Sequence, residues 1–268
     1  MPSSPLEPVP PSRLLSCSVV VPVRDDAREL EGLLVALGRQ SRAPLEIIVV
    51  DNGSRDDSAE VARGAGCRVV VETEPGIPAA AAAGYDAARG EVIVRCDADS
   101  RPLPGWIAAH QDAHARHGAS SVIVTGPAHF RLRPPCGAVL AVLYLGTYML
   151  TMGAALGHLP AFGTTMSMRK AWWSRVSADV SRRGDVHDDM DLSFQVGPTE
   201  QVRLSLKARV GMSPRALRFR RDGALRWQRA LSTLRRNWRR QRPWERWAAR
   251  LAPTTASRRD RRAGRDGS

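Results

Sequence analysis

The segment Glu91-Val92-Ile93-Val94-Arg95-Cys96-Asp97-Ala98-Asp99-Ser100 runs from β-branched residues straight into two carboxylates one residue apart. An apolar run of this length without alternation reads as a strand buried on both faces. The same unit recurs on either side of it. Short β-branched runs lie at 18–23, 46–50, 68–71 and 121–125, and helix-like segments separate the runs at 26–39, 56–65, 78–89 and 103–117. Strands alternating with helices imply parallel pairing, and so an α/β fold with a mostly parallel central sheet. Such a sheet binds its ligand at the carboxyl ends of its strands.

Those ends are acidic. The first run continues into Pro22-Val23-Arg24-Asp25-Asp26, the second into Asp51-Asn52-Gly53-Ser54, and the fourth into Asp97-Ala98-Asp99-Ser100. Neither a Walker A loop nor a GxGxxG turn is present, which argues against the ordinary phosphate cradles. Carboxylates at i and i+2 in a turn can instead present oxygens to one hard cation, and that cation can bridge a diphosphate. Asp51 and Asp97 also read, taken singly, as caps of the helices that follow. Three acidic strand ends in one chain weigh toward a site.

Five segments in this order resemble glycosyltransferase family 2, enzymes of the GT-A type fold: SVVVPVRDD (18–26), EIIVVDNGSRDDS (46–58), GEVIVRCDADS (90–100), AFGTTMSMRKAWW (161–173) and HDDMDLSFQV (187–196). The resemblance spans about residues 16–212 and implies a metal-dependent, inverting transfer of sugar from a nucleoside-diphosphate sugar to an acceptor hydroxyl. By position it implies that Pro22, Val23, Asp26, Asp51 and Asp97 bind the nucleotide sugar. It further implies that Asp99 is the more direct ligand of Mn2+ or Mg2+ and that Asp189 serves as general base, with Asp188 beside it where Glu is usual. Asp191 matches an acid that supports the helix rather than reacting. Gly163, Thr164 and Trp172 fall on the acceptor side. Two departures stand out: alanines replace the family's Arg-Asn pair within 75–84, and Asn52 replaces a common Asp.

The chain has 268 residues, with 43% hydrophobic and 25% charged, an ordinary globular composition. Its net charge of +13 is segregated: the stretch from Ser213 onward holds 18 arginines against four acids, and the remainder is nearly balanced. Within that stretch Trp227, Leu231, Leu234 and Trp238 recur at helical spacing among arginines. That pattern fits a helix lying on an anionic membrane surface, or equally one packed on the catalytic domain. No reader motif supports nucleic acid as a partner. The expected divisions are a Pro/Ser-rich leader (1–15), a GT-A type domain (16–212), a basic amphipathic helical extension (213–252) and an Arg-rich tail (253–268). Residues 136–157 are apolar and long enough to span a bilayer. A span there would put the two acidic motifs on opposite sides, so it reads as a buried or interfacial helix open to a lipid-like acceptor. Four separated cysteines without CxxC pairs read as free thiols. No export signal is recognised, so a cytoplasmic enzyme, peripheral on the inner membrane face, is expected. The competing classes are a nucleotidyltransferase and a non-catalytic membrane- or nucleic-acid-associated protein.

Overall fold

The computed structural model describes residues 14–217 and 219–252. The leader expected over 1–15 lies outside them apart from residues 14 and 15, and the tail over 253–268 lies outside entirely. Among the described residues the ten strands are β1 (Cys17–Val23), β2 (Glu46–Asp51), β3 (Arg68–Val71), β4 (Val92–Arg95), β5 (Arg101–Pro102), β6 (Ser121–Thr125), β7 (Ala128–Phe130), β8 (Met166–Arg169), β9 (Gln201–Leu204) and β10 (Val210–Met212). Seven of them form the central sheet in the order β3-β2-β1-β4-β8-β6-β9, and β5-β10-β7 form a small second sheet.

Strands β1 to β4 pair in parallel, as the β-branched runs imply. The next pairing differs. β8 lies antiparallel between β4 and β6. Its sequence, Met-Ser-Met-Arg, has no β-branched residue to announce a strand. Ser167 at its centre is held from below by the buried His110 (Nδ1 at 2.8 Å) and His114 (Nε2 at 2.9 Å).

Alternate residues of the sheet feed two cores. Val19, Val21, Val49, Val92 and Val94 pack on one face against α1 (Ala27–Gly38), α2 (Ser58–Gly64) and α4 (Trp106–His117). Val20, Ile48, Val50 and Ile93 pack on the other against α3 (Ile77–Ala87), α6 (Lys170–Val176) and α7 (Asp188–Phe194). The alanines that replace the family's Arg-Asn pair belong to α3, where Ala79–Ala82 are buried on the sheet. A Cβ at Gly84 would come within 2.3 Å of Val20 Cγ1, so this close approach requires glycine.

The long apolar stretch is α5 (Cys136–Leu156). Ala141, Leu145, Met152 and Leu156 face inward, while Val139, Val142, Leu143 and Leu150 are exposed. The basic extension is also docked. Leu234 and Trp238 of α8 (Phe219–Trp238) pack on Met152, Leu156, Met190 and Phe194, but Trp227 and Leu231 stay exposed. The apolar stripe is therefore split, because the buried face of α8 is turned toward its polar residues. Thr233 Oγ1 accepts the His187 N–H at 2.9 Å, and Asn237 Nδ2 donates to Asp191 Oδ1 at 2.7 Å. In α9 (Pro243–Leu251) the buried Arg246 donates to the carbonyls of Leu156 (3.1 Å), Phe194 (3.0 Å) and Val196 (3.3 Å). It satisfies oxygens that the ends of α5 and α7 leave unpaired.

Candidate functional site

A cleft of about 750 Å3 opens where β1 and β4 end, between Pro22, Val23 and Asp26 on one side and Asp188 and Asp189 on the other. β1 leaves the sheet through Asp25, whose φ of 52° is a left-handed conformation that Asp tolerates. Its Oδ1 accepts the Arg55 N–H at 2.7 Å.

The two strand-two residues exchange places relative to expectation. Asp51 does not line the cleft; its Oδ1 accepts the Ser54 N–H at 3.0 Å and shapes its own loop. Asn52 lines the cleft instead, and its amide is used fully. Nδ2 donates to the carbonyls of Glu72 (3.0 Å) and Glu74 (2.7 Å), while Oδ1 accepts the Gly76 N–H at 2.7 Å. A carboxylate could not donate to two carbonyls, which gives the departure at Asn52 a physical reason.

Asp97 and Asp99 both line the cleft, each with an arginine. Arg95, buried at the end of β4, lies 3.0 Å from Asp97 Oδ1 and 2.8 Å from Asp188 Oδ2. Asp97 Oδ2 also accepts the Thr164 hydroxyl at 2.8 Å. Arg215, in the 3-10 turn Pro214–Leu217, forks onto Asp26 (3.2 and 2.5 Å) and reaches Asp99 Oδ2 at 3.1 Å. Burial, with the Asp97 charge, raises the Asp99 carboxyl above its ordinary range, and Arg215 opposes the rise. Burial likewise pushes Asp188 up to about 6 against the pull of Arg95.

Asp189 is held differently. Its Oδ2 accepts the Gly163 N–H at 3.0 Å and its Oδ1 the Met190 N–H at 2.8 Å. A Cβ at Gly163 would lie 2.0 Å from Arg95 Nη1, so a larger residue there would push that guanidinium off its place between Asp97 and Asp188. Asp191 is fully buried; Oδ2 accepts the Ser181 N–H at 2.7 Å, and Oδ1 is the acceptor for Asn237. It ties α7 to the Ser181 segment and to α8. Trp172 is a correction. It is buried in the core with Nε1 donating to Glu200 Oε2 at 3.0 Å, so it offers no face to an acceptor.

Among the described residues, no three or more His, Cys, Asp or Glu side chains form a metal-holding group. Asp97 has both oxygens engaged, whereas Asp99 has only Oδ2 engaged, by Arg215. One or two carboxylates completed by substrate phosphates and water suit Mg2+ or Mn2+, so the donor set fits such an ion with Asp99 as its main protein ligand.

Sequence reasoning passed over Arg95, Arg215, Arg226 and Arg229, all of which line the cleft. Arg95 had a signal: an arginine closing a run buried on both faces requires acids to pair with. The other three fell within what read as a solvated basic extension.

The model of the family described as Glycosyl transferase family 2 matches residues 18–175, more than half of the chain. The undecaprenyl-phosphate 4-deoxy-4-formamido-L-arabinose transferase of Pseudomonas fluorescens is 36% identical over 97 residues, 32% of this chain and 29% of that protein. A glycosyltransferase of Mycobacterium tuberculosis, itself uncharacterized, is 40% identical over 82 residues, 31% of this chain and 36% of that protein. The chain thus matches only about a third of the length of these relatives. The mannosyltransferase of Pyrobaculum calidifontis, solved with GDP-Man and Mn2+, gives a TM-score of 0.63 at 19% identity, covering 99% of this chain and 80% of that one. The glucosyl-3-phosphoglycerate synthase of Mycobacterium tuberculosis, solved with Mn2+, UDP-Glc and phosphoglyceric acid, gives 0.59 at 17% identity, covering 84% and 80%. At such identities the likeness speaks to the GT-A fold. With the family match running from β1 into α6, through both acidic strand ends of the cleft, the chain belongs to glycosyl transferase family 2.

Proposed function

We propose that the chain moves a sugar from a nucleoside-diphosphate sugar to the hydroxyl of a lipid-linked acceptor at the inner face of the cell membrane, with inversion at the anomeric carbon. One observation carries the reading: Asp97 and Asp99 share a single cleft with Asp188 and Asp189, some 90 positions downstream. In the reaction the acceptor oxygen bonds to the anomeric carbon as the bond to the diphosphate breaks, and the hydroxyl proton passes to Asp189. The Asp189 oxygens each take one backbone N–H, which leaves lone pairs for an acceptor hydroxyl. A base so placed typically contributes ~10²–10⁴-fold. Asp188 is committed to Arg95 and orients the pair. A divalent ion held at Asp99 would neutralise charge on the leaving diphosphate. The lipid-linked acceptor is supported by the undecaprenyl-phosphate named for the Pseudomonas relative and by the exposed apolar side of α5.

The test is a screen of UDP-, GDP- and TDP-sugars for cleavage with Mn2+ or Mg2+, followed by NMR of the anomeric configuration of the product. We expect one nucleotide class to be cleaved only with metal, and the product to be inverted. No cleavage in any metal would overturn the reading, and retention would overturn the single-base mechanism.

A further inference from the structure

The residue just ahead of α7 carries a side chain that the transfer step leaves unused. His187 lines the cleft beside Asp188 and Asp189. Helix α8 fixes it at two points: its backbone N–H donates to Thr233 Oγ1 at 2.9 Å, and its Nε2 lies 3.0 Å from the Arg226 carbonyl oxygen. A carbonyl oxygen only accepts, so Nε2 carries the hydrogen. In the neutral ring Nδ1 is then a bare acceptor. Nδ1 has no hydrogen-bond partner among the described residues, and it stays open to solvent.

Aromatic surface adjoins this acceptor pair. Phe162 lines the cleft and precedes Gly163, whose N–H holds Asp189. Tyr144 of α5 also lines it, braced edge-on by Phe130 with 5.8 Å between ring centroids. Burial raises the Tyr144 hydroxyl, Arg226 opposes the rise and Asp189 adds to it, so Tyr144 stands within electrostatic reach of Asp189. A nucleophilic hydroxyl has one proton, and in the transfer that proton goes to Asp189. It is not available to His187. An acceptor with a single hydroxyl would leave Nδ1 dehydrated and unpaired, which is unfavourable. A second hydroxyl beside the first supplies the missing donor. Aromatic walls with a few convergent polar groups suit a pyranose, apolar on its C–H faces and polar at its rim.

We propose that the acceptor is a saccharide, with its attacking hydroxyl on Asp189 and a neighbouring hydroxyl donating to His187 Nδ1. This rests on the glycosyl-transfer reading and names the chemical class of its acceptor. His187 binds and orients; it takes no proton. The docked α8 thereby shares in acceptor recognition, because its Arg226 carbonyl sets the tautomer of the ring. Both His187 and α8 lie beyond the family match at 18–175. A lipid-linked saccharide meets this requirement and also suits the exposed apolar side of α5.

The experiment is NMR of isotopically labelled histidine nitrogens in the full chain, saturated with Mg2+ and whichever of UDP or GDP binds. The titrants are the methyl pyranosides of glucose, mannose and galactose, with cyclohexanol as the single-hydroxyl control. Before titration His187 should show a protonated Nε2 and an unprotonated Nδ1. At least one pyranoside should bind about tenfold or more tighter than cyclohexanol and shift the Nδ1 resonance as it binds. His187→Gln keeps a donor for the Arg226 carbonyl but loses Nδ1, and should weaken pyranoside binding about tenfold. His187→Asn keeps an acceptor near the Nδ1 position and should hold that affinity within about threefold. Nucleotide affinity in the same samples should hold within about threefold, which also reports that the variants are folded. The tautomer and the Nδ1 shift are read on the native chain and stand without the variants. The proposal is overturned if cyclohexanol binds as well as every pyranoside, or if Nδ1 is the protonated nitrogen or does not respond. It is also overturned if His187→Gln binds pyranosides as the native chain does, or better than His187→Asn. A fall in nucleotide affinity in step with pyranoside affinity overturns it too, because His187 would then serve the donor. If neither nucleotide binds, the glycosyl-transfer reading fails by itself, and the pyranoside titrations on nucleotide-free protein still decide the subsite.

Discussion

Arg95 Nη1 stands 2.8 Å from Asp188 Oδ2 in the floor of the cleft, and through this buried pair two distant acidic motifs become one site. The other arm of the same guanidinium reaches Asp97. Asp188 is raised by burial, and Arg95 is the first of the charges that counter the rise.

Arg95→Gln should therefore shift the acid limb of the pH–rate profile upward. In the native chain Asp188 loses its charge as pH falls through about 6. Without the guanidinium, burial and the charges of Asp189 and Asp97 all act in one direction, and the carboxyl stays protonated to higher pH. The acid limb of kcat/KM is expected to move up by more than about one unit. Leaving a buried charge partner unpaired should also cost about 3–5 kcal/mol of stability, read by denaturant unfolding. An acid limb that does not move removes Arg95 from this role.

Asp189→Asn keeps the shape of the side chain and removes the proton acceptor. Its kcat should fall by ~10²-fold or more while donor affinity stays within a few-fold. Asp188→Asn should act differently, because it unpairs Arg95 and disturbs Asp97 with it. We expect losses in both kcat and metal-dependent donor binding. An active Asp189→Asn beside a dead Asp188→Asn with normal donor binding would exchange their roles.

Asp99→Ala should abolish the dependence of nucleotide binding on Mn2+, measured by calorimetry. Arg215→Ala is expected to act in the opposite sense on the metal alone. It frees Asp99 Oδ2, so Mn2+ affinity without nucleotide should rise a few-fold, as read by electron paramagnetic resonance. Undiminished metal-dependent binding in Asp99→Ala would move the ion elsewhere.

Co-sedimentation with anionic vesicles tests the membrane surface. Exposed Val142 and Leu143 on α5 can insert, and each nearby arginine contributes about 1 kcal/mol at an anionic surface, screened by salt. The full chain should bind at low salt and be released in part by high salt. Val142→Glu with Leu143→Glu should weaken binding without unfolding the chain, since neither side chain is packed. Binding unaffected by that pair would leave the arginines of α8 and α9 as the attachment. Truncation after Met212 is unsuitable for this purpose. It removes Asn237 from Asp191 and Arg246 from three carbonyls, so it should destabilise the catalytic body itself.

Local chemistry made much of this protein legible from its sequence. The five β-branched runs are strands at nearly the expected bounds, because burial on both faces leaves an uninterrupted apolar signature. Asp97, Asp99, Asp188 and Asp189, which line one cleft, stood out because acids at strand ends and in a family-like motif have few structural uses. Other features depended on contacts between distant positions. Arg215 meets Asp99 across 116 positions and Asp26 across 189, pairings that no periodicity encodes. β8 could not be read as a strand because its pairing with β4 and β6 gives it a burial that its residue types do not advertise. The exchange of Asp51 for Asn52 in the cleft is set by which side chain finds the carbonyls of Glu72 and Glu74. The arginine-rich stretch showed its charge at once. Only the packing of α8 on α7 turned Arg226 and Arg229 into the cleft, because the buried face of that helix was set by Thr233 and Asn237 meeting His187 and Asp191 and takes in only the Leu234 and Trp238 half of its apolar stripe.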